Sequence, residues 1–163
     1  MVKKYLSLVK FSHTVFALPF AFIGFFMGLF VKAQQKNLPM LDVLLQKQML
    51  QLFLLVLVCM VTARSAAMAF NRYLDRHFDA KNPRTAIREI PSGVIAASSA
   101  LRFVILNAVI FIAATYFINP ICFYLSPVAL FVILFYSYTK RFTALCHMVL
   151  GLGLSLVPIG AYL

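Results

Sequence analysis

The chain has 163 residues, a length that suits one ordinary domain, yet 63% of it is hydrophobic and only 12% is charged. Soluble globular proteins are roughly a quarter charged, so a soluble fold is excluded; several apolar runs reach the about 20 residues that a bilayer-spanning helix needs, which makes this an all-α, polytopic membrane protein. The net charge of +11 does not indicate nucleic acid, because the basic residues fall between apolar runs rather than on one polar face, and anionic lipid headgroups or an anionic substrate fit better.

Residues 1–13 read as a basic, amphipathic lead-in lying at the membrane interface, with Lys3, Lys4 and Lys10 interleaved with Tyr5, Leu6, Leu8, Val9 and Phe11. The run continues too far, without a small-residue cleavage site, to be a cleaved signal. A first span is predicted over residues 14–31, with Pro19 as a kink point and Gly24 and Gly28 forming a small-xxx-small face. A polar loop over 32–48 follows, then a second span over 49–70. The second half of that span is small and polar and carries Arg64, whose charge costs about 2.5–3.5 kcal/mol on insertion scales, so it should face the protein interior or a wet cavity. A third span is predicted over 96–117, with Arg102 near its start. Asn119-Pro120 marks a tight turn, a fourth span covers 121–138, and a fifth starts near residue 145 and is still running at 163. Gly151, Gly153 and Gly160 give the fifth a small-residue face. Cys59, Cys122 and Cys146 lie singly in or beside apolar segments, as packing residues rather than metal ligands or disulfide partners.

The charge distribution orients the spans. With the N-terminus inside, Lys3, Lys4, Lys10, Arg72, Arg76, Lys81, Arg84, Arg88, Lys140 and Arg141 are also inside, whereas Lys32, Lys36 and Lys47 are outside. The positive-inside rule selects this arrangement and places the segment 71–93 on the cytoplasmic side.

That segment, NRYLDRHFDAKNPRTAIREIPSG, carries Asp75, Asp79 and Glu89, three of the four acidic residues (Asp42 is the fourth), together with Arg72, Arg76, Lys81, Arg84 and Arg88. Asn71, Asp75 and Asp79 recur every four residues, which lines their oxygens along one face of a helix continuing past the second span. Carboxylates one turn apart repel, and a divalent cation reverses the sign. Mg²⁺ takes one or two carboxylates, keeps waters and is completed by substrate phosphates. Arg84, Thr85 and Arg88 are suited to gripping phosphate oxygens, on a short helix predicted to begin at Pro83 and to end before Pro91 and Gly93. The plainer alternative is a solvated helix end in which Arg72 pairs with Asp75 and Arg76 with Asp79. Tyr136 and Lys140 lie one turn apart at the same level, at the end of the fourth span; an interfacial tyrosine and a snorkelling lysine would look the same. His77 faces away from the aspartates, and His13 and His147 sit at span ends. No nucleophile elbow, Cys/His pair or glycine-rich phosphate loop is present in the sequence.

The segment 71–93 closely resembles the first aspartate-rich motif of the UbiA superfamily of intramembrane aromatic prenyltransferases: Asn71, Arg72, Asp75, Asp79, Arg84, Thr85, Arg88 and Gly93 match its pattern, HTVFALPFA at 13–21 is similar to the start of its first helix, and Tyr136-x₃-Lys140 matches its Tyr-x₃-Lys motif. The resemblance implies a helical bundle with nine spans when whole, of which about five lie here, in a single membrane-embedded domain over 1–163. It implies transfer of a polyprenyl group from a polyprenyl diphosphate to an aromatic acceptor in respiratory quinone biosynthesis, with Mg²⁺ as cofactor, in a bacterial inner membrane. By transfer, Asn71, Asp75 and Asp79 hold the metal; Asp75, Asp79, Tyr136 and Lys140 carry the catalysis; Arg64, Arg72, Arg84, Thr85, Arg88 and Lys140 contact the diphosphate or line the pocket. Two departures stand out. Arg88 is followed by Glu89 where most relatives have proline, a variant resembling the 4-hydroxybenzoate polyprenyltransferase-like branch linked to menaquinone by the futalosine route, so the acceptor is 4-hydroxybenzoate or a naphthoate-type compound. No acid follows Glu89, so the second aspartate-rich motif is absent, and the chain is expected to be an N-terminal part that is inactive alone. Two other classes share part of the pattern. A CDP-alcohol phosphatidyltransferase also uses Asp-x₃-Asp with Mg²⁺ but needs an upstream Asp-Gly that is missing here. A cation transporter could use the carboxylates as an ion site, usually near the bilayer midplane.

Overall fold

The computed structural model describes residues 2–143 and 145–162; the side chains of Val2, Phe11, His13 and Phe16 are not among those described, so the expectation for His13 lies outside them. The described residues form seven helices: α1 (Val2–Leu8), α2 (Phe11–Lys36), α3 (Met40–Leu44), α4 (Lys47–Lys81), α5 (Ala97–Tyr116), α6 (Pro120–Thr139) and α7 (Cys146–Tyr162). Four of them, α2, α4, α5 and α6, are long and apolar enough to cross a membrane, and α7 is a shorter apolar helix of 17 residues. The five expected spans are thus found as four full-length helices and one shorter one.

The boundaries follow from local chemistry. Lys10, with φ 45°, separates α1 from α2, and Asn37, with φ 52°, ends α2 in a left-handed cap whose N–H donates back to Ala33 and Gln34. The loop expected over 32–48 is shorter than predicted, because α2 runs on to Lys36 and the connection contains α3. No proline or glycine interrupts residues 47–81, and α4 runs unbroken for 35 residues, about 52 Å at 1.5 Å per residue. That exceeds the about 30 Å hydrocarbon thickness, so one end projects beyond the apolar layer. It stops at Asn82, which adopts an extended conformation (φ −106°, ψ 119°) as a residue before proline must. Asn119 caps α6 by accepting from the Cys122 N–H at 2.7 Å, with Pro120 in the first turn.

The predicted short helix after Pro83 is not formed. Residues 82–95 instead make consecutive turns: the Arg84 N–H donates to Asn82 Oδ1 at 3.0 Å, Ala86 N–H to Asn82 O at 2.8 Å and Arg88 N–H to Thr85 O at 3.0 Å. The Asn82 side chain caps the first of these turns in the manner of a helix N-cap, but the turns that follow do not propagate as a helix.

The helices close into a ring in the order α2, α4, α5, α6, α7, with α7 returning against α2 and α4 also touching α6. Lipid tails are as apolar as leucine, so close backbone approach rather than hydrophobicity must hold such a ring. The α2–α7 contact illustrates it: a Cβ on Gly24 would lie 2.2 Å from Pro158 O, and one on Gly28 would lie 2.9 Å from Tyr162 O. Several buried hydroxyls within the ring satisfy themselves on their own helix, Thr62 donating to Val58 O, Thr115 to Ile112 O and Ser126 to Phe123 O.

Candidate functional site

The projecting end of α4 meets the start of the α6–α7 connection and the 82–95 turns, and it is here that the charges converge. Asn71 and Asp75, one turn apart, both accept from the Lys140 ammonium. Lys140 follows directly on α6, so the contact joins residues 69 and 65 positions apart in the chain. Arg141, which the sequence reading did not place in the site, donates from Nη2 to Leu74 O at 2.6 Å, lies 3.9 Å from Asp75 Oδ1, and has its guanidinium 5.4 Å from the Phe78 ring centroid. Its adjacency to Lys140 was the available signal.

One turn further along α4, Asp79 is buried, at 7% exposure. Both of its oxygens accept from Arg88 Nη1, at 2.7 and 2.8 Å, and its carbonyl accepts from Thr85 Oγ1 at 2.9 Å. The local pairing of Arg72 with Asp75 and Arg76 with Asp79 is therefore not the arrangement formed. Arg76 donates instead to Tyr73 O at 2.7 Å and lies over the Tyr73 ring at 4.3 Å. Lys140 and Arg88 reach the Asn71-Asp75-Asp79 face from outside α4 and take the carboxylates that these arginines could have met at i,i+3. Arg72 is half-buried in the field of Arg88, Glu89, Asp79 and Asp75. Arg84 is exposed. Tyr136 is half-buried one turn before Lys140, and His77 is exposed, away from the cluster.

Among the described residues no three His, Cys, Asp or Glu side chains gather as a metal site. The donor set nonetheless fits a hard cation that is completed by a ligand: the Asn71 and Asp75 oxygens already converge on one positive charge, the Lys140 ammonium, and Mg²⁺ asks the protein for only one or two carboxylates. Asp79 shares their helix face but is held by Arg88.

Further into the ring lies an apolar cavity of about 340 Å³, lined from all five long helices by residues including Ala21, Cys59, Ala63, Phe111, Ser126 and Gly160. Cys59 and Cys122, expected as packing residues, both stand on its wall. Arg64 stands on α4 between the cavity residue Ala63 and the charged end. It is half-buried, and its Nε is buried without a hydrogen-bond partner among the described residues, an orphan of the kind that a bound anionic group satisfies.

A sequence model of the UbiA prenyltransferase family matches residues 17–163. The 4-hydroxybenzoate octaprenyltransferase of Vibrio cholerae serotype O1 (strain ATCC 39541 / Classical Ogawa 395 / O395) is 37% identical over 92 residues, which is 56% of this chain and 32% of that protein. A protein of the same name from Vesicomyosocius okutanii subsp. Calyptogena okutanii is 33% identical over 113 residues, covering 69% of this chain and 41% of the relative. Among solved structures, the apo structure of a UbiA homolog from Aeropyrum pernix K1 superposes with a TM-score of 0.73 at 30% identity, over 92% of this chain and 49% of that one. The matched regions thus span less than half the length of each of these three proteins.

Proposed function

The chain belongs to the UbiA prenyltransferase family, and on that premise we propose that the protein transfers a polyprenyl group from a polyprenyl diphosphate to 4-hydroxybenzoate at the charged end of the bundle, in a Mg²⁺-dependent step of ubiquinone synthesis. The observation that carries the proposal is the convergence of Asn71, Asp75 and Lys140 beside the Asp79–Arg88 pair, at the mouth of a ring whose interior cavity is apolar. The relatives named 4-hydroxybenzoate octaprenyltransferase favour that acceptor over a naphthoate-type one. The carboxylates lie beyond the apolar part of α4 rather than at its middle, which favours a substrate site over a transport site.

In this reading Asn71, Asp75 and Asp79 hold Mg²⁺, which when bound neutralises diphosphate and makes it a better leaving group. Lys140 and Arg88, which neutralise the carboxylates here, would offer donors to diphosphate oxygens, and Arg72, Arg84 and Thr85 would complete the cradle. The bond between the prenyl C1 and the diphosphate oxygen breaks with both electrons going to oxygen, and the basic groups stabilise the charge that develops there. The allylic cation left behind is attacked by a ring carbon of the acceptor, which then loses its proton. Arg64, with its orphaned Nε, suits the acceptor carboxylate, and Tyr136 flanks it. The cavity takes the prenyl chain and excludes water that would quench the cation. The charge distribution supports an orientation with the N-terminus and the 82–95 turns on the cytoplasmic side.

The test is prenylation in membranes supplied with labelled polyprenyl diphosphate, Mg²⁺ and 4-hydroxybenzoate. Product should form with Mg²⁺, vanish with a chelator and be lost in Asp75→Ala. Product undiminished in both Asp75→Ala and Asp79→Ala would overturn the assignment.

A further inference from the structure

The N-terminal helix α1 lies outside the region that matches the family, which begins at residue 17, and no step above uses it. It is nonetheless built into the site. Leu8 and Val9 are buried, at 0% and 3% exposure, in one cluster with Ile90 and Ile95 of the turns, Ala66 and Ala69 of α4, and Ala100 and Val104 of α5. Tyr5 packs against Phe103 with ring centroids 4.9 Å apart. Ser7 Oγ donates to Glu89 Oε1 at 2.5 Å.

The two neighbouring residues Arg88 and Glu89 therefore anchor the turns in two directions, Arg88 onto Asp79 of α4 and Glu89 onto Ser7 of α1. The Glu89 carbonyl also accepts from the Ile95 N–H at 2.8 Å, closing the turns on themselves. The two anchors differ in what they do when substrate arrives. Arg88 is the group that must leave Asp79 to reach a diphosphate, so its anchor is lost on binding. The Ser7–Glu89 hydrogen bond and the Leu8–Val9–Ile90–Ile95 packing involve no group that substrate contacts, so they persist. Without them, releasing Arg88 would leave the 82–95 segment tied to α4 by the Thr85–Asp79 hydrogen bond, whose hydroxyl belongs to the same proposed cradle, and ordering the segment again would weaken binding.

We infer that α1 is a strap that positions the diphosphate-binding turns, with Ser7, Leu8 and Val9 acting as positioning residues for Arg88 through Glu89, Ile90 and Ile95. The inference rests on the reading of 82–95 as the diphosphate segment. It also gives a local reason for Glu89: a proline there would offer Ser7 no acceptor.

The experiment compares the whole protein with Leu8→Ala, Ser7→Ala, Ser7→Thr and, as a surface control on the same helix, Leu6→Ala. Leu6 is 42% exposed and belongs to no buried cluster among the described residues. Two readouts are taken: hydrogen–deuterium exchange of the backbone amides, and KM for polyprenyl diphosphate against kcat. In Leu8→Ala the amides of 82–95 should exchange at least tenfold faster while those of α5 and α6 hold, and KM for the diphosphate should rise about tenfold with kcat changed less than twofold. Ser7→Ala should move both readouts in the same direction by about threefold, Ser7→Thr should restore them, and Leu6→Ala should leave them unmoved. Exchange that is unchanged in 82–95, or that accelerates equally through α5 and α6, overturns the strap. Loosened turns with an unchanged KM overturn the positioning role. Because exchange is read without turnover, failure of the strap is distinguishable from failure of the prenyltransferase reading.

Discussion

Replacing Lys140 by methionine keeps most of the side-chain volume and removes the charge on which Asn71 and Asp75 converge. The cost follows from burial. Breaking a fully buried pair costs about 3–5 kcal/mol, and losing an exposed one costs about 1 kcal/mol or less. The Lys140 and Asp75 side chains are 26% and 18% exposed, between those limits, and Arg141 remains 3.9 Å from the other Asp75 oxygen as partial compensation. Lys140→Met should therefore destabilise the protein by about 2 kcal/mol, which corresponds to roughly 4–8 °C in Tm at about 2–4 °C per kcal/mol. The sign of the Mg²⁺ response is the sharper test. With the ammonium gone, the Asn71 and Asp75 oxygens are free for an external cation, and Mg²⁺ at ten times its Kd restores about 1.4 kcal/mol by linkage. Wild-type protein gains less, because Lys140 competes for the same oxygens. The assay is thermal unfolding of both proteins in detergent, with chelator and then across a Mg²⁺ titration without diphosphate. Equal Tm values in chelator, or equal Mg²⁺ shifts in the two proteins, would refute the idea that Lys140 occupies the position of a metal ion.

Other parts of the fold make further predictions. Gly24→Ala places a methyl group against the Pro158 carbonyl; overpacking of this kind costs about 1–3 kcal/mol, and a fall of several degrees in Tm is expected, while Gly151→Ala, where a Cβ meets nothing within 4 Å, should leave Tm unmoved. Ala63→Phe projects a ring into the cavity; prenylation assayed with a long-chain donor should drop at least tenfold in kcat/KM, about 1.4 kcal/mol in barrier, with a much smaller loss for a five-carbon donor.

Much of the site was legible in the sequence because helical periodicity is local. The four-residue spacing of Asn71, Asp75 and Asp79 put three oxygens on one face, the absence of proline and glycine across 47–81 let that face continue beyond the apolar run, and Asn82-Pro83 announced where it had to stop. Apolar run lengths likewise marked α5 and α6 to within one residue at each end, whereas α2 and α4 run on past their apolar stretches. The errors were also local. The segment after Pro83 reads as a helix, and Asn82 does cap its first turn, but only consecutive turns form.

What no spacing along the chain could supply was the choice of partners. Arg72 and Arg76 are near Asp75 and Asp79 in sequence, yet the carboxylates are met by Lys140 and Arg88, which only the folding of the chain brings to α4. The same holds for Arg141 on Leu74 and for Ser7 on Glu89, 82 residues away. The sequence by itself determined the membrane class, the long helices and the row of side-chain oxygens at Asn71, Asp75 and Asp79, since each depends on residues within a few turns of one another. Only the tertiary structure decided which cations face those oxygens, where the apolar cavity lies and what the N-terminal helix holds, since each depends on the order in which the helices close the ring.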